Sequence, residues 1–388
     1  ACGREDADVH FLVGGTQTNL IAIASILKPY QGVLAAHDGH IACHETGAIE
    51  ATGHKVLPVP CVDGKITGDE VRQYCSAHAT DTMREHTVQP GMVYISFPTE
   101  IGSLYTKAEL TDLSNACREC GIPLYIDGAR MGYGLMSPEA DITLPELANL
   151  CDMFYIGGTK CGAIMGEALV ILNPALKEGF RYIVKQHGGL LAKGRFLGLQ
   201  FDTLFEDNLY FKICKKAVDQ AISIRHAFEQ KGIEMDGDSM TNQQFAVLTQ
   251  EQMEKLGQKY AYEIWERHED GRDVVRFCTS WATKDENVRL CWRISQHCKS
   301  RQIDTERRRA DEREDAASLH CQQRDGGGEL RAQPVAALSG LQHTGPVCRR
   351  RMRSGDGGGP CVAGSAVCQK VKRKNQKAPA RCRSFLWS

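Results

Sequence analysis

The stretch Cys151–Gly162, CDMFYIGGTKCG, decides how the chain is read. Met153, Phe154, Tyr155 and Ile156 make an apolar run of strand length, and two glycines, a threonine and Lys160 follow at once. Paired glycines permit a tight turn and leave open space beside the lysine. A lysine held there away from water loses proton affinity and becomes an amine nucleophile able to condense with an aldehyde. Taken alone, the segment reads more simply as a surface lysine after a strand. The second fixed point lies upstream in Pro123-Leu124-Tyr125-Ile126-Asp127-Gly128-Ala129-Arg130, another apolar run, this one closed by a carboxylate.

A carboxylate ending one strand and a lysine ending a later one are the two fixed points a pyridoxal phosphate site requires. Asp127 would keep the pyridine nitrogen protonated, and Lys160 would carry the aldehyde carbon. Further strand ends fall into line around the pair. The run His10–Val13 leads into Gly14-Gly15-Thr16-Gln17-Thr18-Asn19 and then a helical pattern ending near Pro29. A glycine and threonine turn that opens a helix presents free amides and the positive end of the helix dipole to an anion. The strand Val33–Ala36 leads to His40, with an expected helix from Ile41 to Ala51. His40, at the junction, is placed to face a pocket. His44 shares its helix face and is expected to cap the helix or join the core, and a metal site from the two histidines with Glu45 is not favoured because the residue order differs from the usual helical signature. Pro98-Thr99-Glu100 follows the strand Met92–Phe97.

Strands at 55–59, 92–97, 124–126, 153–156 and 168–172 alternate with helical patterns such as 67–76 and 107–120. That alternation predicts an α/β fold, a mostly parallel sheet with helices on both faces. Ligands in such sheets bind at the carboxyl ends of the strands, where the glycine loop, His40, Glu100, Asp127 and Lys160 all fall.

Composition excludes several alternatives. Of the 388 residues 42% are apolar, enough for a sizeable core, and the net charge of −1 gives no global field for nucleic acid or membrane. No apolar run approaches the roughly 18 residues of a spanning helix, and the first residues, which read as the end of a helix, lack the regions of a secretory signal. The cysteines before residue 290 lie scattered at no framework spacing, which reads as reduced thiols in a cytoplasmic protein. Cys117 and Cys120 have the spacing of half a zinc or redox motif but no partner pair.

Gly14-Gly15-Thr16-x-x-Asn19, His40-Ile41 with Glu45-x-Gly47, Ile126–Arg130, Lys160 and Val275-Arg276-x-x-Thr279 resemble, in order and spacing, the pyridoxal phosphate enzymes of the threonine aldolase and beta-eliminating lyase family, whose large domain has the aspartate aminotransferase-like fold. The resemblance covers roughly residues 1–288. It implies that Lys160 holds the cofactor, Asp127 pairs with its ring nitrogen, His40 stacks on its ring, and Gly15 and Thr16 contact its phosphate. It implies that Arg130 and Arg276 hold the substrate carboxylate, and that Lys193 or Arg195 reaches a phosphate across the interface of a homodimer or homotetramer. The implied reaction cleaves a threonine-like β-hydroxy-α-amino acid to glycine and an aldehyde. Glu100 stands where the family usually has a histidine and becomes the candidate base for the hydroxyl proton, and a segment expected before the glycine loop is missing. β-Elimination, transamination and a non-catalytic homologue that only binds a partner remain the alternatives.

The expected organisation is a cofactor-binding large domain over 1–225, a small α+β domain over 226–288 built on patterns such as 245–248, 251–259 and 274–278, and a tail over 289–388. In the tail, Arg307–Arg309, Gly326–Gly328, Arg349–Arg351 and Gly357–Gly359 replace any apolar periodicity, a composition read as disordered and aberrant in preference to an RNA-binding arm.

Overall fold

Strict alternation of apolar side chains builds the central layer of the computed structural model, which describes residues 1–289. On one strand Val93 and Ile95 point into one apolar cluster while Met92 and Tyr94 point into the opposite one, and Phe154, Ile156, Met153 and Tyr155 divide in the same way. A sheet apolar on both faces must be covered on both, and helices do so.

The elements in chain order are β1 (Asp8–Leu12), α1 (Gly15–Ile26), β2 (Gln31–Ala36), α2 (His40–Cys43), β3 (Lys55–Val59), α3 (Gly68–Thr80), β4 (Gln89–Ser96), α4 (Lys107–Cys120), β5 (Leu124–Asp127), α5 (Met131–Leu135), α6 (Leu144–Ala148), β6 (Met153–Gly157) and β7 (Glu167–Ile171). There follow α7 (Phe180–Gln186), α8 (Arg195–Phe205), α9 (Leu209–Glu229), β8 (Gln243–Thr249), α10 (Gln250–Gly257), β9 (Glu263–Arg267) and β10 (Arg272–Cys278). The seven-stranded sheet has the order β1-β7-β6-β5-β4-β2-β3. Strands β3, β2, β4, β5 and β6 pair in parallel, and β7 runs antiparallel to both β6 and β1. The start of β7 therefore lies at the edge where its neighbours end. A second sheet, β8-β10-β9, is antiparallel and packs its own apolar cluster around Phe228, Leu248 and Phe277.

Local sequence sets several boundaries. Thr67, Thr106 and Thr143 each accept a hydrogen bond from the backbone of a glutamate three residues on, whose side chain answers to the threonine backbone, so α3, α4 and α6 open on capping boxes. Gly121 in the left-handed conformation closes α4. The helix expected from Ile41 to Ala51 is instead the single turn α2, because Thr46 and Gly47 take positive φ values of 55° and 71° and the chain leaves the helical path there. The first seven residues form turns and not a helix end. The tail expectation lies outside the described residues, apart from Arg289.

Candidate active site

Asp127 ends β5 with its carboxylate buried and hydrogen-bonded at both oxygens. Oδ2 accepts the Tyr94 hydroxyl at 2.7 Å and the Asn19 amide at 2.8 Å, and Oδ1 accepts the backbone N–H of Ala129 at 2.9 Å. Asn19, buried in α1, also donates to Glu45 Oε1 at 2.7 Å and accepts the Tyr125 hydroxyl at 2.9 Å. Glu45 Oε1 in turn meets His40 Nδ1 at 2.8 Å. One amide thus ties the carboxylate of β5 to the imidazole of α2. These bonds account for the close approach of His40, Glu45 and Asp127, whose ligand-type atoms lie within 4.8 Å of one another. Burial draws the proton affinity of His40 down, but the bond to Glu45 and the charge of Asp127 outweigh it, and the net shift is upward.

Lys160 stands two residues past the Gly157-Gly158 pair. Burial first, then the nearby Arg130 guanidinium, lower its amine to about 8, while Asp127 and Glu167 pull the other way. The glycines are demanded by packing. A Cβ on Gly157 would lie 2.2 Å from the Ala129 carbonyl oxygen, and one on Gly128 would lie 1.9 Å from that of Tyr155. Only without side chains can the ends of β5 and β6 approach so closely, and this brings Asp127 and Lys160 to one cavity. Tyr133 also donates its hydroxyl to the Lys160 carbonyl.

The cavity measures about 230 Å³ and is lined by His40, Ala129, Asp127, Lys160, Glu100, Arg130 and Arg276 among others. Arg130 is buried, and among the described residues its Nη1 has no hydrogen-bond partner. Arg276, on β10, donates to Gln243 Oε1 at 3.1 Å, pairs with Glu263 and lies 4.7 Å from the centre of the Trp265 ring. Glu100 Oε1 accepts the His40 backbone N–H at 2.9 Å and the Ser96 hydroxyl at 2.6 Å, and burial raises its carboxyl above the ordinary range. His44 is the C-cap of the single-turn helix α2, its backbone N–H donating to the His40 carbonyl at 2.8 Å, and it does not join the core. It is exposed at the cavity mouth, 5.8 Å from Trp265 between ring centres, because α2 has already ended.

Other expected residues lie elsewhere. Gly15 and Thr16 open α1, whose cap residue Gly14 makes no side-chain hydrogen bond, but they do not line this cavity. Lys193 and Arg195 border a separate cleft with Phe196 and Leu199 at the start of α8. Cys117 is buried in α4 and Cys120 ends that helix.

Asn19, Glu45 and Glu167 were not assigned a site role from the sequence, nor were Gln243, Glu263 and Trp265. Asn19 carried a signal, a polar residue inside the apolar pattern of α1 one turn past the glycine loop. Glu263 and Trp265 carried none, because β9 alternates weakly and is largely exposed.

The sequence profile of the beta-eliminating lyases matches residues 3–324. The chain belongs to this family. Family membership fits the sheet order and the cavity just described. A low specificity L-threonine aldolase of a Pseudomonas species is 32% identical over 292 residues, covering 73% of this chain and 81% of the relative. Among solved structures, a threonine aldolase of Leishmania major is 44% identical with a TM-score of 0.74, over 76% of this chain and 86% of that one. An aspartate aminotransferase of Thermus thermophilus, 15% identical, matches with a TM-score of 0.54 over 74% of each chain, a likeness of fold.

Proposed function

We propose that the chain is a pyridoxal phosphate-dependent lyase that cleaves a threonine-like β-hydroxy-α-amino acid to glycine and an aldehyde. The observation that carries this reading is one cavity holding an amine lowered to about 8, a carboxylate fixed by three hydrogen bonds and a buried guanidinium nitrogen without a partner among the described residues. These residues fit the cofactor. Lys160 supplies the nucleophile for its aldehyde, Asp127 an acceptor for its ring nitrogen, His40 an aromatic wall and the amides of Gly15 and Thr16 an anion site. When bound, the cofactor supplies an electron sink for the pair released on Cα–Cβ cleavage.

The chain's own residues do the rest. Arg130 and Arg276 hold the substrate carboxylate and so orient the bond to be broken. Glu100 is the base for the β-hydroxyl proton. Its raised proton affinity brings it nearer the working range of a general base. The three-stranded sheet, assigned to a small domain over 226–288 beside a large domain over 1–225, contributes Arg276, Gln243 and Trp265 to the cavity. We further propose that two copies associate through the face carrying Lys193 and Arg195, which then serve the phosphate of the partner's cofactor.

Added pyridoxal phosphate is expected to give a visible band that borohydride traps on Lys160, with glycine and an aldehyde as products. A trapped lysine other than Lys160 overturns the site, and release of a keto acid in place of glycine moves the chain to elimination or transamination.

A further inference from the structure

Glu167 opens β7 and is buried, only 1% exposed. In register it stands opposite Leu12, the last residue of β1, and Gly157, the last of β6. It therefore lies between the strand that feeds the glycine loop and the strand that feeds Lys160. Both its oxygens are used on the segment between Gly157 and Lys160. Oε2 accepts the Gly158 N–H at 2.7 Å and Oε1 accepts the Thr159 hydroxyl at 2.6 Å.

Packing alone does not ask for this residue. Its neighbours on β7 are Ala168, Leu169 and Val170, and a buried carboxylate is costly where an apolar side chain would serve. No lysine, arginine or histidine forms a salt bridge with it among the described residues. Its charge instead acts on Lys160, and the lysine acts back on it. Gly158 is itself tightly packed, since a Cβ there would lie 2.4 Å from the Gly166 carbonyl oxygen.

We propose that Glu167 is a positioning residue for Lys160, fixing the backbone of Gly158 and Thr159 and holding a negative charge beside the amine. The inference rests on Lys160 being the reactive amine. Charged and titratable groups acting on that amine are Arg130 and Asp127 from the end of β5, His40 from α2, Cys161 from its own loop and Glu167 from β7. Asp127, Tyr125 and Tyr155 in turn surround Glu167. Of the two carboxylates acting on Lys160, Asp127 spends its bonds on Tyr94, Asn19 and Ala129, and Glu167 is the one whose bonds run to the lysine's own loop.

The test compares the full chain with Glu167→Gln, Glu167→Ala and Glu167→Asp. Competitive acetylation of the cofactor-free protein across pH, read at Lys160 by mass spectrometry, gives the amine's midpoint. The visible band of the protein loaded with pyridoxal phosphate is titrated in parallel. Glu167→Gln, which keeps an acceptor and loses the charge, is expected to lower the Lys160 midpoint by about 1 pH unit, the scale of one neighbouring charge. Glu167→Asp should restore most of that midpoint, and Glu167→Ala should both lower it and release the cofactor at least about tenfold faster, from the lost bonds to Gly158 and Thr159. An unchanged midpoint in Glu167→Gln, even beside a lower melting temperature, overturns the proposal by leaving only a structural role. A midpoint that falls in a protein showing no visible band upholds the role of Glu167 and sinks the cofactor reading instead.

Discussion

At the scale of single residues, the site works by burying groups that would otherwise take or lose protons freely. Burial raises Glu167 to about 7, from 4.5, so its folded form binds a proton where the unfolded form does not. Its contribution to stability is therefore present in full below pH 4.5 and is lost as pH rises to about 7. That interval corresponds to about 3 kcal/mol. Lys160, lowered to about 8, has the opposite sign, with stability present above 10.5 and lost as pH falls through 8. Melting temperatures measured from pH 4.5 to 7 should fall more steeply for the parent than for Glu167→Gln, and parallel curves would contradict the assignment. Glu100 makes a second residue-scale prediction. Its raised carboxyl must lose its proton before it can act as a base, so cleavage should decline as pH falls through that raised value. Glu100→Gln should slow aldol cleavage by about 10² to 10⁴-fold. Exchange of the Cα proton in a substrate lacking the hydroxyl should persist. Steady-state rates of both reactions decide it, and cleavage left intact by the substitution places the base elsewhere.

Among the elements, the approach of β5 to β6 is what makes a site of two separate strand ends. Gly157→Ala would force a methyl to within 2.2 Å of the Ala129 carbonyl, and since a backbone oxygen cannot rotate aside, one strand end must move. The expected cost is about 1 to 3 kcal/mol, as for overpacking in a dense core. Lys160 should then lose its alignment with Asp127, and the fraction of protein carrying borohydride-trapped cofactor should drop well before the fold is lost. Equal trapping in parent and variant would show that the spacing is not critical. This pairing was legible in the sequence, because Asp-Gly and Gly-Gly follow apolar runs whose period marks them as buried strands. The capping boxes were equally local, and α4 appears over the expected residues 107–120. What escaped reading depended on distant partners. The single turn α2 required Thr46 in a conformation that threonine rarely adopts, and no neighbour in sequence announces it. Strand β9 alternates only weakly, and its place is set by pairing with β10 across a register shift at Val274 and Val275. Glu167 stands just before the expected strand 168–172, and only the fold sets it against the Lys160 loop.

For the whole molecule, the decisive question is what covers the face around α8. Phe196 is 48% exposed and Leu199 59%, beside Lys193 and Arg195 in one cleft. The loop with exposed Ile164 and Met165 is fastened to the same helix, since Gln200 accepts the backbone N–H of Ile164 at 2.8 Å and donates to the Met165 carbonyl at 3.0 Å. Large apolar side chains clustered on one face, next to cations that form no salt bridge among the described residues, are the composition of an interface and not of a solvated helix. That loop continues directly from Lys160, so covering the face would also confine the reactive lysine. The proposed second copy of the chain would satisfy both demands: its apolar side chains would bury these, and Lys193 and Arg195 would gain a phosphate as their anion. Phe196→Glu should therefore convert the protein to monomer in sedimentation velocity, because a carboxylate cannot be buried there without a partner. Lys193→Ala with Arg195→Ala should leave the oligomer intact yet weaken retention of pyridoxal phosphate by at least about tenfold, the loss expected for charge-assisted phosphate contacts. If the parent sediments as a monomer that retains cofactor, the association is wrong. If the double variant keeps its cofactor while the Phe196 variant dissociates, the face is an interface whose cations do not reach the phosphate.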